Sequence, residues 1–201
     1  MSVFQSSKEG IKDTGFNILT VPYLGPAKFN KAEVAKIGSV DDCFVVSFDL
    51  LGTDIRDNDV SSLNHQHVEW APNDQNDEDS IQAKVDRIAY IASTVVPDEK
   101  VVSVQATDWV DYCKAIIELM ETYDYKSKEV EIKVIGNVYK GKTKVNFPGY
   151  RNFITTPDSK PLTFSASEQK KNEEYMKAVG STPSSTNEDG VDIGDVDEAE
   201  F

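Results

Sequence analysis

The sequence predicts a mainly β domain with one or two helices, spanning 1–178, and a flexible acidic tail over 179–201. Three observations carry that expectation. Several short runs rich in β-branched and aromatic residues are bounded by Gly, Pro, Asn or Asp, as strands are. One segment, TDWVDYCKAIIELMETY (107–123), follows a helical period instead and opens on a Thr/Asp start. From GSTPSSTNEDG (180–190) onward the chain is small and polar, with no core-forming residue before Val191.

Along the chain, FVVSFDLLG (44–52) reads as a strand that stops at Gly52, and LNHQHVEW (63–70) as a short one. PNDQNDEDS (72–80) has loop composition. VDRIAYIAST (85–94) fits a helix, with Ser80 as its cap, or a strand. EKVVSVQAT (99–107) reads as a strand. The 107–123 helix places Trp109, Cys113, Ile116, Ile117 and Met120 at core spacing, and FSASEQKKNEEYMKAV (164–179) starts a second helix at a Ser cap. Residues 1–42 receive no element.

Nine Phe, eight Tyr and two Trp suffice for a core. No run of eighteen apolar residues appears, so no membrane association is expected. The start MSVFQSSKEGIKDTG lacks the apolar region of a secretory signal, and a cytoplasmic protein is expected. Cys43 and Cys113 sit in apolar stretches and read as buried free thiols.

The net charge of −14 argues against a phosphate-binding surface, but the acid is concentrated. Segments 54–79 and 188–200 hold eight and seven acids against one base, Arg56. The remainder has twenty acids and twenty bases, and 126–177 within it carries eleven bases and six acids.

That basic region contains EVEIKVIGNVYKGKTKVNF, a hairpin if Lys140-Gly141 is its two-residue turn. Alternation then collects Glu131, Lys133, Ile135, Asn137, Tyr139, Lys142, Lys144 and Asn146 on one face, with Val130, Ile132, Val134, Gly136, Val138, Thr143, Val145 and Phe147 on the other. Lys140 stands at the tip, and Tyr150, Arg151 and Phe153 follow in PGYRNF. Lysines interleaved with aromatics suit single-stranded nucleic acid, because cations neutralise phosphates while unpaired bases stack on flat rings. Taken singly, each of these residues also fits edge protection or core capping.

In the tail, solubility explains the acids but not Phe201, which gains free energy only by entering a pocket. Asp195, Asp197, Glu198, Glu200 and Phe201 are therefore expected to form a short partner-binding element. A basic, aromatic sheet face followed by an acidic tail ending in Phe resembles the single-stranded DNA-binding proteins of bacteriophages and bacteria. The order strand, strand, strand, helix, strand, strand over 43–156 is similar to a β-barrel of the OB-fold type. Phage proteins fit better, since the bacterial tail usually ends Asp-Asp-Asp-Ile-Pro-Phe and this one ends Asp-Glu-Ala-Glu-Phe. The resemblance implies single-stranded DNA as ligand and a role in DNA replication, recombination or repair. It also implies tail-borne contacts to a polymerase, helicase or primase, no cofactor, and the cytoplasm of an infected bacterial host.

His65, His67 and Glu69 would share one face of a strand, but no third His or nearby Cys completes a zinc set. No G-x-S-x-G, phosphate-binding loop or paired-Cys spacing is present, and no enzymatic activity is expected. The alternative is an acidic DNA mimic or adaptor that binds other proteins.

Overall fold

Fifteen residues without a clean alternation, YLGPAKFNKAEVAKI, form the longest strand, β1 (Tyr23–Ile37). Phe29 pairs with Phe48 and Lys31 with Ser47, so Asn30 is the extra residue of a bulge. The bulge shifts the inward phase: Ala27 and Phe29 before it and Ala32 after it are all core residues. The Ala32 N–H donates to the Tyr125 hydroxyl at 2.9 Å.

The computed structural model describes residues 18–73, 77–149 and 152–181. After β1 come β2 (Val40–Leu50), β3 (Asn64–Glu69), α1 (Glu78–Ala92), α2 (Asp98–Val102) and α3 (Trp109–Thr122). A 3₁₀ turn (Tyr125–Ser127), β4 (Glu129–Tyr139), β5 (Lys142–Asn146), β6 (Ile154–Thr155) and α4 (Ala166–Ser181) complete the order. The strands form one antiparallel sheet in the order β3-β2-β1-β4-β5, with β6 paired to β4. The first half of β4 is sandwiched: Ile132 pairs with Gly25 of β1 on one edge and Ile154 of β6 on the other.

The protein is thus a mainly antiparallel sheet with helices, as the sequence pattern predicts, but the expected closed barrel is not formed. β3 and β5 end the sheet, and among the described residues no ladder joins them. Side chains occupy the gap instead, with the Phe147 ring 4.8 Å from that of His65 and 5.0 Å from that of His67. Among the described residues there are four helices where one or two were expected, three of them between β3 and β4.

The expected strand at 99–107 is replaced by the short helix α2. Pro97 precedes it, Asp98 and Glu99 place negative charge at its N-terminal dipole end, and only Val101 of its apolar residues is buried. Segment 85–94 resolves as helix, and α1 begins earlier than Ser80. Asp77 is the cap, accepting the Ser80 N–H at 3.0 Å. α3 matches expectation: Asp108 caps it, and Trp109, Cys113, Ile116 and Met120 are buried, with Ile117 packed at the core margin. Both cysteines are free and buried, and burial pushes the Cys113 thiol up to about 12, which keeps it un-ionised. None of the described helices is long and apolar enough to cross a membrane.

Helix α4 starts with a reciprocal box. The Ser165 N–H donates to the Glu168 carboxylate at 2.6 Å, and the Glu168 N–H donates to Ser165 Oγ at 3.3 Å. It lies against β4 so closely that a Cβ on Gly136 would stand 2.4 Å from Cγ of Tyr175. The Gly136 N–H donates to Asn172 Oδ1 at 2.9 Å. Gly136→Ala is expected to lower stability by about 1–3 kcal/mol in urea unfolding, since the ring must move out of a packed site. A loss below about 0.5 kcal/mol would mean that α4 does not dock there.

Candidate nucleic-acid interface

The hairpin has the register that the sequence predicts: Tyr139 pairs with Lys142, Asn137 with Lys144 and Ile135 with Asn146. Lys140 and Gly141 both take positive φ, 47° and 78°, as a type I′ turn requires. Gly141 adopts this at no steric cost; Lys140 does so against its preference. At the tip Tyr139 is 56% exposed, and the Lys140 ammonium stands 5.2 Å from its ring centroid. Lys142 and Lys144 are exposed, and among the described residues neither has an acidic partner.

Three other residues expected near that face, Lys133, Ile135 and Phe153, are buried instead. Lys133 is only 3% exposed. Its ammonium lies 2.9 Å from the Glu168 carboxylate and donates to the Thr163 carbonyl at 3.1 Å. Alternation on the hairpin alone does not reveal that α4 and the segment before it cover the first half of β4. Ile135 is buried there as well. Phe153 is also a core residue, 1% exposed and stacked on Phe147 at 4.7 Å, so no base can reach its ring. Tyr150 and Arg151 lie outside the described residues, as do Asp195, Asp197, Glu198, Glu200 and Phe201. The exposed set is Tyr139, Lys140, Lys142 and Lys144.

Lys144 also lines a cleft of about 890 Å³ between β3, α1 and the end of β5. Arg87 of α1 holds its deep end together. Its guanidinium lies 3.3 Å from the Glu69 carboxylate, donates to the Pro148 carbonyl at 2.6 Å and stacks over Phe153 at 4.6 Å. His67 meets Glu69 at 3.3 Å and stacks on Phe147. Burial lowers the pKa of His67 and pushes His65 down to about 3, so both are neutral at physiological pH. His65, His67 and Glu69 do share a face, as the sequence predicts, but they look onto Phe147 and Arg87. Among the described residues no group of three or more His, Cys, Asp or Glu is arranged to hold a metal ion.

The cleft was not anticipated from sequence, since it depends on the sheet remaining open. The only available signal was the alternation of His65, His67 and Glu69, three polar residues on a strand face that packing had to absorb.

A scan against protein-family models finds no match to the chain, and no curated protein matches it.

Removing one partner of a buried ion pair is costly, whereas a surface lysine is nearly neutral. Lys133→Ala is therefore expected to lower stability by about 3–5 kcal/mol, and Lys142→Ala by no more than about 0.5 kcal/mol. Equal effects in urea unfolding would return Lys133 to the surface.

Stability should also fall with acid above the carboxylate range. Below its ordinary value of 6.5, His65 is protonated in the unfolded chain but stays neutral in the folded one down to about 3. The unfolded state then binds more protons, and stability declines by about 1.4 kcal/mol per pH unit across that window. Between pH 6.5 and pH 5 the native chain is expected to lose about 2 kcal/mol through this group. His65→Leu is expected to show a shallower decline, and an identical slope would mean that His65 titrates normally.

Proposed function

We propose that the protein binds single-stranded DNA with little sequence preference through the hairpin tip, in DNA replication, recombination or repair. One observation carries this: the tip gathers Tyr139, Lys140, Lys142 and Lys144 in solvent, on a rigid type I′ turn. Three ammonium groups neutralise consecutive phosphates while the ring offers a stacking surface, worth about 1–3 kcal/mol per base. Duplex readout needs a groove-filling element with base-edge donors, which this short tip lacks. The strand order supports the same reading, because β1–β2–β3 with β4 beside β1 and β5 beside β4 follows an OB-type order opened between β3 and β5. In barrels of that type the loop between the fourth and fifth strands contributes to oligonucleotide binding, and here that loop is the Lys140-Gly141 turn. The acidic segment 188–200 completes the proposal, competing with phosphate for the same lysines. Asp195, Asp197, Glu198, Glu200 and Phe201 would then meet a polymerase, helicase or primase.

The rival reading, an acidic DNA mimic, draws on the net charge of −14. Its best segment is in part engaged within the fold, although Asp57, Asp59, Asp77, Glu78 and Asp79 stay exposed. Asp54 is buried and bound by Arg56 and Asn58, and Asp59 accepts the Ser61 N–H. Glu69 pairs with Arg87, and Asp77 caps α1. A mimic needs its carboxylates in solvent at phosphate spacing.

Titration with fluorescein-labelled oligo-dT at two salt concentrations separates the two. Binding is expected to weaken with salt at a log–log slope of about −0.7 per neutralised phosphate, and the Lys142→Ala, Lys144→Ala double variant should lower that slope by about 1.4 while remaining folded. An unchanged slope in the folded variant would remove the hairpin from the interface, and absence of binding would favour the mimic.

A further inference from the structure

The unclosed seam between β3 and β5 is where a barrel would have hydrogen-bonded, and it has become the 890 Å³ cleft instead. Sites that bury a small molecule or a single base fall in the range of about 300–1,000 Å³. Part of its polar lining is already engaged: Glu69 is held by Arg87, Asp77 by the Ser80 N–H, and Asp86 accepts from Gln82 at 2.7 Å. Other groups are not. Among the described residues the Trp70 indole N–H, the Gln66 amide, the Asn146 side-chain NH₂ and the Lys144 ammonium have no hydrogen-bond or ionic partner. Trp70 is half-buried at the end of β3, and Lys144 belongs both to the cleft wall and to the exposed hairpin.

We propose that this seam takes an unpaired nucleobase of the strand held at the hairpin tip, with Trp70 as its stacking platform. The proposal rests on the single-strand-binding function and extends it from phosphate contact to a defined base subsite. Among the described residues four acids and three basic side chains line the cleft, so a phosphate is disfavoured inside and a neutral nucleobase is not. The phosphate stays at the mouth with Lys144, while the base enters over Trp70. The Asn146 NH₂ offers a donor to its edge. A single donor meets an acceptor on any base, so it does not favour one base strongly.

Trp70 reports on its own occupancy. The chain has two tryptophans, and Trp109 is 7% exposed with its indole N–H donated to the Asp42 carbonyl at 2.7 Å. In the full chain, oligo-dT is expected to quench intrinsic fluorescence. Trp70→Phe should abolish the quench yet still bind labelled oligo-dT by anisotropy. Trp70→Ala, checked for folding by circular dichroism, should weaken that binding by about 5- to 150-fold. An abasic sugar-phosphate oligomer of the same length should bind with salt dependence but without quenching. Labelled oligo-dT that binds with no quench, a quench that survives Trp70→Phe, or a folded Trp70→Ala with native affinity would each overturn the seam and leave the hairpin reading standing. A chain that binds no oligo-dT at all would overturn both.

Discussion

Phe147 follows β5 directly and touches four other rings: Phe48 of β2 at 5.7 Å, His65 and His67 of β3, and Phe153 at 4.7 Å. The two ends of the sheet meet through this side chain, and Arg87 bridges the same gap between Glu69 and the Pro148 carbonyl. A ladder between β3 and β5 would have fixed them at about 4.8 Å with every backbone group paired. Ring contacts hold them further apart and leave a gap on the solvent side. The opened sheet, the neutral histidines that must stack on an apolar ring, and the cleft above them all follow from that substitution.

The same economy governs the lysines. β4 has partners on both edges over its first half and carries α4 as well, so a cation there must be paired or neutralised, and Lys133 is paired with Glu168. Past Ile135 the strand leaves β1 behind and projects as a two-stranded arm. Lysines on that arm keep their hydration. Two residues that alternation places on one face therefore have opposite roles: Lys133 locks a helix, and Lys144 remains available for an anion.

Elements with a local cause were legible in the sequence. The type I′ turn, the α3 stripe and the Ser165 cap depend on residues within a few positions of one another, and each stands where its pattern puts it. The misses have non-local causes. β1 hides its alternation behind the Asn30 bulge and carries Pro26, which discourages a strand assignment. Segment 99–107 has strand-like valines, but Pro97 and the first-turn acids Asp98 and Glu99 favour a helix start, and no neighbouring strand is there to reward extension. The burial of Lys133 and Phe153, and the opening of the barrel, depend on segments twenty or more residues away. What was readable of the expected face is the exposed hairpin tip, whose register and turn have local causes.

An acidic chain can still hold an anion, because charge acts over a limited range. At physiological salt the field of an exposed charge decays over about 8 Å. In the 54–79 segment Asp54 is bound to Arg56, Glu69 to Arg87 and Asp77 to the start of α1, where each has its own counter-charge or N–H donor. Such pairs have little field left at the end of an arm. The ammonium groups of Lys142 and Lys144 have no such partner among the described residues, so their field is not cancelled at the source. What a phosphate meets on approach is then set by the last few side chains of the hairpin, whereas the total of −14 governs only the long-range repulsion that salt removes first. Net charge and local charge are thus separate properties of this chain, and the geometry of the β4–β5 arm is what separates them.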